Sequence, residues 1–165
     1  MFEKKEYSDN QKKNYQLLLK QLEALIEDED DLIANLSNSA ALLNQFLDRI
    51  NWVGFYLLKG KELVLGPFQG LPACVRIEFG KGVCGTAIKD RSTQRIANVL
   101  EFPGHIACDA ASRSEIVIPL IKDDQAIGVL DIDSPEFDRF SELDQTYLEK
   151  FCEILINNPL SHNNA

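Results

Sequence analysis

The sequence predicts an α+β fold in which helices near the two ends pack on one face of an antiparallel sheet. Three observations carry this reading. Apolar residues recur at helical spacing before residue 48 and again after residue 141. Between these stretches the sequence alternates with a period of two. Two of the alternating runs fold back on themselves through short polar turns, as hairpins do.

The elements follow in order. From about Ser8 to Glu27, the residues Tyr15, Leu18, Leu19, Leu22, Leu25 and Ile26 form one apolar stripe. The acidic break "EDEDD" ends it. Leu32, Ile33, Leu36, Ala40, Leu42, Leu43, Phe46 and Leu47 mark a second helix, so the N-terminal helices span about 8–48. After Asn51 the period changes: "WVGFYLLK" is a strand, "KGKE" turns it, and "LVLGPFQ" returns as its partner. "VRIEF" is a further strand, "GKGVCGTAIKD" a glycine entry with a short helical body, and "RIANV" a short strand before a long loop. "EIVIPLIK", the turn "DDQ" and "AIGVLDIDS" make a second hairpin and close a sheet region of about 50–134. Ser141 and Asp144 in "FSELD" have the spacing of a capping box. Leu143, Tyr147, Leu148, Phe151, Ile154 and Leu155 then give a C-terminal helix, about 141–157, its apolar face. The tail "NNPLSHNNA" is polar and is expected to fray. No repeat, low-complexity segment or linker divides the chain, and a single domain over 1–165 is expected.

Composition excludes several function classes. The chain is 45% hydrophobic and 26% charged with a formal net charge of −9. It lacks the basic stripe of an unselective nucleic-acid surface, and acidic membranes would repel it. The opening "MFEKKEYSDNQKKNYQ" has no signal-type apolar core, and no run reaches the length of a membrane span. A cytoplasmic location is expected. Thiols stay reduced there, so Cys74, Cys84, Cys108 and Cys152 are not read as a permanent disulfide framework. His105 and Cys108 with Cys74 and Cys84 could hold a structural zinc, but no close-spaced ligand pair supports it, and a redox role fits better.

The strand faces carry the candidate site. Both faces of the strands are fairly apolar, so the 98–114 loop is expected to cover the second face and leave a pocket there. Trp52 and Tyr56 share a face, as do Asp131 and Asp133. Asp133 alone could begin a turn, Glu115 could simply face water at a strand start, and Trp52 alone reads as core. Asp131 lies further inside its strand and is harder to explain that way. The loop "PGHIACDAASRS" sets a thiol, Cys108, among polar residues just ahead of Glu115. Cys84 sits in "GVCGTA", where glycines allow close backbone approach; the glycine spacing fits no phosphate-binding fingerprint. Cys152, beside Phe151, reads as a small core hydrophobe.

"NWVGFYLL", "GVCGTA", "HIACDAASRSEIVIPL" and "IGVLDIDS", in this order, closely resemble the free methionine-(R)-sulfoxide reductases, an enzyme branch of the GAF fold, over roughly residues 10–157. The resemblance implies a six-stranded antiparallel sheet with helices on one face and a loop-covered ligand pocket on the other. It implies Cys108 as nucleophile, Cys84 as its disulfide partner and Cys74 as the alternative resolving or recycling thiol. Trp52, Tyr56, Glu115, Asp131 and Asp133 would line the pocket. Glu115 and Asp133 would polarise or protonate the sulfoxide oxygen, Asp131 with Glu115 would hold the substrate ammonium, and Trp52 would wall the S-methyl group. The family is similar in being homodimeric and recycled by thioredoxin, with no metal or organic cofactor. The alternative is a GAF domain that binds a small molecule as a sensor without catalysis.

Overall fold

The computed structural model describes residues 2–106 and 109–158. Cys108 and the tail 159–165 lie outside the described residues. Helix α1 (Gln11–Ile26) and helix α2 (Leu32–Phe46) lead into strands β1 (Trp52–Lys59), β2 (Glu62–Gly70) and β3 (Arg76–Glu78). Helix α3 (Gly82–Asp90) and strand β4 (Gln94–Ile96) follow, then a 3₁₀ turn (Val99–Glu101), strands β5 (Ser114–Lys122) and β6 (Gln125–Ser134), and helix α4 (Glu142–Ile156). The strands form one sheet in the order β3-β2-β1-β6-β5-β4. Every neighbouring pair in it is antiparallel. Among the described residues, no helix is long and apolar enough to cross a membrane.

Alternation along the central strands divides the interior in two. Val53 and Phe55 of β1, Ile116 and Ile118 of β5, and Leu130 and Ile132 of β6 face α1, α2 and α4. There they meet Leu18 and Leu22 of α1, Leu36 and Leu43 of α2, and Phe151 and Leu155 of α4, all fully buried. Each such side chain contributes about 1.5–3 kcal/mol by leaving water. On the opposite face, Trp52, Tyr56, Val117 and Val129 pack under Val83, Ala87 and Ile88 of α3. One short helix therefore joins the loops that cover the pocket face. Its close approach needs a glycine: a Cβ on Gly85 would lie 2.5 Å from the Glu78 carbonyl oxygen.

Boundaries differ from expectation in two places. Helix α1 begins after Asn10, whose side chain accepts from Lys13 N, and not at Ser8. Ser8 instead donates through its backbone N and its hydroxyl to Asn14 Oδ1. The strand read in "RIANV" is confined to Gln94–Ile96, because Asn98 caps the 3₁₀ turn by accepting from Leu100 N.

The capping box at α4 is present, and it is part of a larger polar knot. Asp144, 1% exposed, accepts from Ser141 N at 2.7 Å, Ser141 Oγ at 2.9 Å, Tyr15 Oη at 2.5 Å and Arg139 Nη1 at 3.3 Å. The same carboxylate thus caps α4, holds α1 and neutralises a buried guanidinium. Arg139 also donates to Asp48 Oδ1 at 2.8 Å. Removing Asp144 would leave Arg139, a side chain that is 5% exposed, with only the solvent-facing Asp48 as carboxylate partner, and would take away the buried acceptor of the Tyr15 hydroxyl. Asp144→Ala is expected to lower unfolding free energy by about 3–5 kcal/mol in urea titrations, against about 1 kcal/mol for Ser141→Ala. Equal losses for the two variants would show that the buried pair adds nothing to the cap.

Candidate active site

Strand register assembles the site. Glu115 of β5 pairs with Asp133 of β6, which pairs with Trp52 of β1, so these three lie in one row across the sheet. In the next row on the same face, Val117 pairs with Asp131, and Asp131 with Gly54. Tyr56 follows one row further along β1. Glu115 is 5% and Asp131 7% exposed, while Asp133 is partly open to the pocket. The pocket is small, about 40 Å³, room for a few ordered waters. Its floor is this face of the sheet, and Cys84, His105, Ile106, Asp109 and Ser112 close it from above.

The aromatic wall depends on two glycines. The Trp52 indole stacks on Phe68 at 5.2 Å and on Tyr56 at 5.9 Å, and its Nε1 donates to Leu71 O at 3.1 Å. A Cβ on Gly54 would stand 2.7 Å from the indole Cη2, and one on Gly70 would stand 2.6 Å from its Cδ1. Gly70 also has φ +138, a conformation that side chains rarely adopt. The ring can lie flat on the sheet only because both positions are bare. Tyr56 Oη donates to the Cys74 carbonyl at 2.9 Å and fixes the segment after β2 against the pocket.

The thiols occupy different environments. Cys84, in the first turn of α3, is buried and donates to Glu115 Oε1 at 4.0 Å, a long contact. Burial, with Asp131 and Glu115 beside it, pushes its pKa well above the usual thiol value, so it keeps its proton. Cys74 is disulfide-bonded. The sequence reading favours Cys84 as the bridging thiol; in this structure Cys84 is free. A zinc site that uses Cys74 as a thiolate is incompatible with its disulfide. Cys152 lies on the far side of the sheet, buried in the helix-side core, as a small hydrophobe would. Cys108 lies outside the described residues.

The carboxyls set the electrostatics. Burial first, then Asp131 and Asp133, pushes Glu115 well above the usual carboxylate range. Burial first, then Asp131, does the same to Asp133, while the Ser112 hydroxyl pulls it back. Asp131 is pushed up to about 6 by burial, opposed by hydrogen bonds from Glu115 and Cys84. Among the described residues no lysine or arginine forms an ion pair with any of the three. The nearest basic group is His105 Nε2, 3.8 Å from Glu115 Oε2, and burial lowers its pKa, which favours a neutral imidazole. Among the described residues, Asp131 Oδ1 is buried with no hydrogen-bond partner.

Of the site residues expected from sequence, Trp52, Tyr56, Cys84, Glu115, Asp131 and Asp133 line this pocket, whereas Cys74 does not. Sequence reasoning missed Asn51, which stitches the rim to the sheet. Its Nδ2 donates to Asp109 Oδ2 at 2.9 Å and Ser112 Oγ at 3.1 Å, and its backbone N donates to Asp133 O at 2.9 Å. Asp109 also accepts from Ala111 N, and these bonds hold its pKa below the usual value. The available signal was an asparagine one residue ahead of a strand, which reads as an ordinary turn residue. Gly54 and Gly70 were also missed; a glycine inside each of two paired strands marks a close approach.

The raised carboxyl pKa values make stability depend on pH. A group whose pKa is higher in the folded state contributes stability below its unfolded value, about 4, and loses it as pH rises through the folded value. For Asp131 that window runs from about 4 through about 6, and for Glu115 it extends higher. Glu115→Gln cannot ionise. Chemical denaturation is expected to show it near wild type at pH 4 and more stable than wild type at pH 8, by on the order of 1–3 kcal/mol. A gap that stays constant or narrows with rising pH would show that the wild-type carboxylate is ionised and satisfied when folded.

Comparison with known proteins places this geometry. The family described as GAF domain matches residues 27–155. The free methionine-R-sulfoxide reductase of Escherichia coli is 53% identical over 141 residues, covering 86% of each chain. The X-ray structure of the Neisseria meningitidis free methionine-R-sulfoxide reductase in complex with its substrate superposes with a TM-score of 0.93 at 43% identity, covering 98% of both chains. The reduced form of the Staphylococcus aureus protein, named fRMsr, superposes with a TM-score of 0.86 at 60% identity over 90% of this chain and 95% of that one. The chain therefore belongs to the free methionine-(R)-sulfoxide reductases of the GAF domain family.

Proposed function

We propose that the chain reduces free L-methionine (R)-S-oxide to L-methionine through a cysteine sulfenic acid and a disulfide, with thioredoxin as the final reductant. The observation that carries this reading is the cluster of buried carboxyls lacking a lysine or arginine partner beside an aromatic wall. A free amino acid supplies what the cluster lacks. Its ammonium satisfies Asp131 and one oxygen of Glu115, and the orphaned Asp131 Oδ1 supports this placement. Its sulfoxide oxygen takes up the proton that a raised carboxyl pKa makes available. The names of the E. coli and N. meningitidis relatives support the same substrate.

The chemistry requires that proton, because oxide is a poor leaving group from sulfur. Glu115 and Asp133 hold or donate it at the sulfoxide oxygen, since neighbouring acids at close range cannot all ionise. Cys108 thiolate attacks the sulfur of the protonated sulfoxide and forms a sulfur–sulfur bond. The oxygen then passes from the methionine sulfur to the cysteine sulfur as that bond breaks, methionine departs with the electron pair, and Cys108 is left as a sulfenic acid. A second thiol attacks that sulfur and water leaves, giving a disulfide. The bonded state of Cys74 supports Cys74 as the resolving thiol ahead of Cys84, whose proton is held by burial among acids. A dithiol of thioredoxin then reduces the disulfide by exchange. A homodimeric assembly and a cytoplasmic location belong to the same proposal and rest on the family resemblance.

The decisive measurement is consumption of reductant by the purified protein with thioredoxin and each sulfoxide epimer separately. Turnover with the R epimer is expected, whereas a sensor would bind without turnover. Cys108→Ser is expected to lose even the first turnover of methionine release, and Cys152→Ser to remain near wild type. Peptide mapping after substrate addition without reductant is expected to recover Cys74 linked to Cys108. A full first turnover by Cys108→Ser would move the nucleophile elsewhere.

The ammonium site predicts selectivity for the free amino acid. N-acetyl-methionine sulfoxide leaves a buried carboxylate unpaired, so it is expected to lose on the order of a few kcal/mol of transition-state binding in kcat/KM. Comparable kcat/KM for the two compounds would remove the carboxylates from substrate binding.

A further inference from the structure

Three donor side chains in the pocket lie close enough together to share one cation. The ligand atoms of Cys84, Glu115 and Asp131 all lie within 4.8 Å of one another, and all three residues are buried. Among the described residues Asp131 Oδ1 has no hydrogen-bond partner, although the residue is only 7% exposed. One sulfur with two carboxylate oxygens is a donor set that a borderline-soft divalent ion accepts, and that magnesium or calcium does not favour. His105 Nε2 lies 3.8 Å from Glu115 Oε2 but outside this set of three, so the fourth position is left to water.

We propose that the reduced protein binds one zinc ion through Cys84, Glu115 and Asp131, with water as the fourth ligand. The site occupies the position given above to the substrate ammonium and the sulfoxide oxygen. A tetrahedral zinc holds thiolate sulfur and carboxylate oxygen about 3.5 Å apart. The present Cys84–Glu115 separation is 4.0 Å, so carboxyl rotation of a few tenths of an ångström closes that edge. Binding forms the zinc–sulfur bond and releases the Cys84 proton to solvent, with no change of oxidation state. Two cationic charges then sit where the row of acids is unneutralised. Zinc and substrate exclude one another, so zinc inhibits turnover by competition. This last consequence alone rests on the functional reading of the pocket.

The test has a spectroscopic arm and a kinetic arm. Cobalt(II), titrated into the reduced protein, is expected to give a thiolate-to-cobalt charge-transfer band at one equivalent, which added zinc bleaches. The band is expected to persist when Cys74 and Cys108 are both replaced by serine, and to vanish in Cys84→Ser. Asp131→Asn, a second variant that keeps the shape of the side chain, is expected to weaken cobalt affinity about tenfold or more. No band in the wild type, or a band retained in Cys84→Ser, would overturn the site. In the kinetic arm, zinc is expected to raise the KM for methionine sulfoxide without lowering kcat, and EDTA to restore it. A Cys84-dependent band without any effect of zinc on turnover would keep the metal site and overturn the placement of substrate among these acids.

Discussion

Two carboxyl groups and a thiol are held out of water on one face of a sheet beside a third, half-buried carboxyl, and among the described residues no lysine or arginine forms an ion pair with them. Each ionised acid there is costly, because the low-dielectric interior strengthens repulsion between like charges and withdraws their hydration. The arrangement persists only because other parts of the molecule supply stability. The helix-side core provides most of it, with three long helices closing the opposite face of the same strands. The central strands β1, β6 and β5 carry that core and the site together, on alternate residues.

The two polar clusters of the protein make a useful contrast. Asp144 is as buried as the pocket acids, yet it accepts from Ser141, Tyr15 and Gln11 and pairs with the Arg139 guanidinium. Its work is structural, joining α1, α4 and the segment before α4. Among the described residues Asp131 keeps an oxygen with no partner, and Glu115 has around it a neutral imidazole, a weakly donating thiol and the other acids, with no cation. A satisfied buried charge fixes a fold, whereas an unsatisfied one leaves interaction free energy for a ligand.

Environment, more than sequence neighbours, separates the cysteines. Cys152 and Cys84 are both buried, but one sits among leucine, phenylalanine and isoleucine side chains and the other beside two acids. Both keep their protons, and only the second sits beside groups that exchange protons or bind a cation. Cys74 follows β2 in an irregular segment held by the Tyr56 hydroxyl, with exposed Leu71 and Val75 on either side. A bridge formed from that segment is within reach of an external reductant, in the way a thiol enclosed under α3 is not.

Sequence alone determined the local chemistry. Helical spacing marked α1, α2 and α4, Ser141 and Asp144 marked the cap, and period-two alternation put Trp52 with Tyr56 and Asp131 with Asp133 on shared faces. The motifs around Cys84, Cys108 and Glu115 carried the family. Tertiary structure decided what those residues become. Alternation fixes a side chain's face and leaves its row open, so only pairing between strands could set Glu115 beside Asp133 and Trp52. Desolvation is likewise a property of whatever arrives from elsewhere in the chain. Helix α3 and the rim tied down by Asn51 bury the acids, and the bare backbones of Gly54 and Gly70 lay the indole flat. An isolated strand would have left the same carboxylates in water with ordinary pKa values, because a pKa shift requires a surrounding that one segment cannot provide.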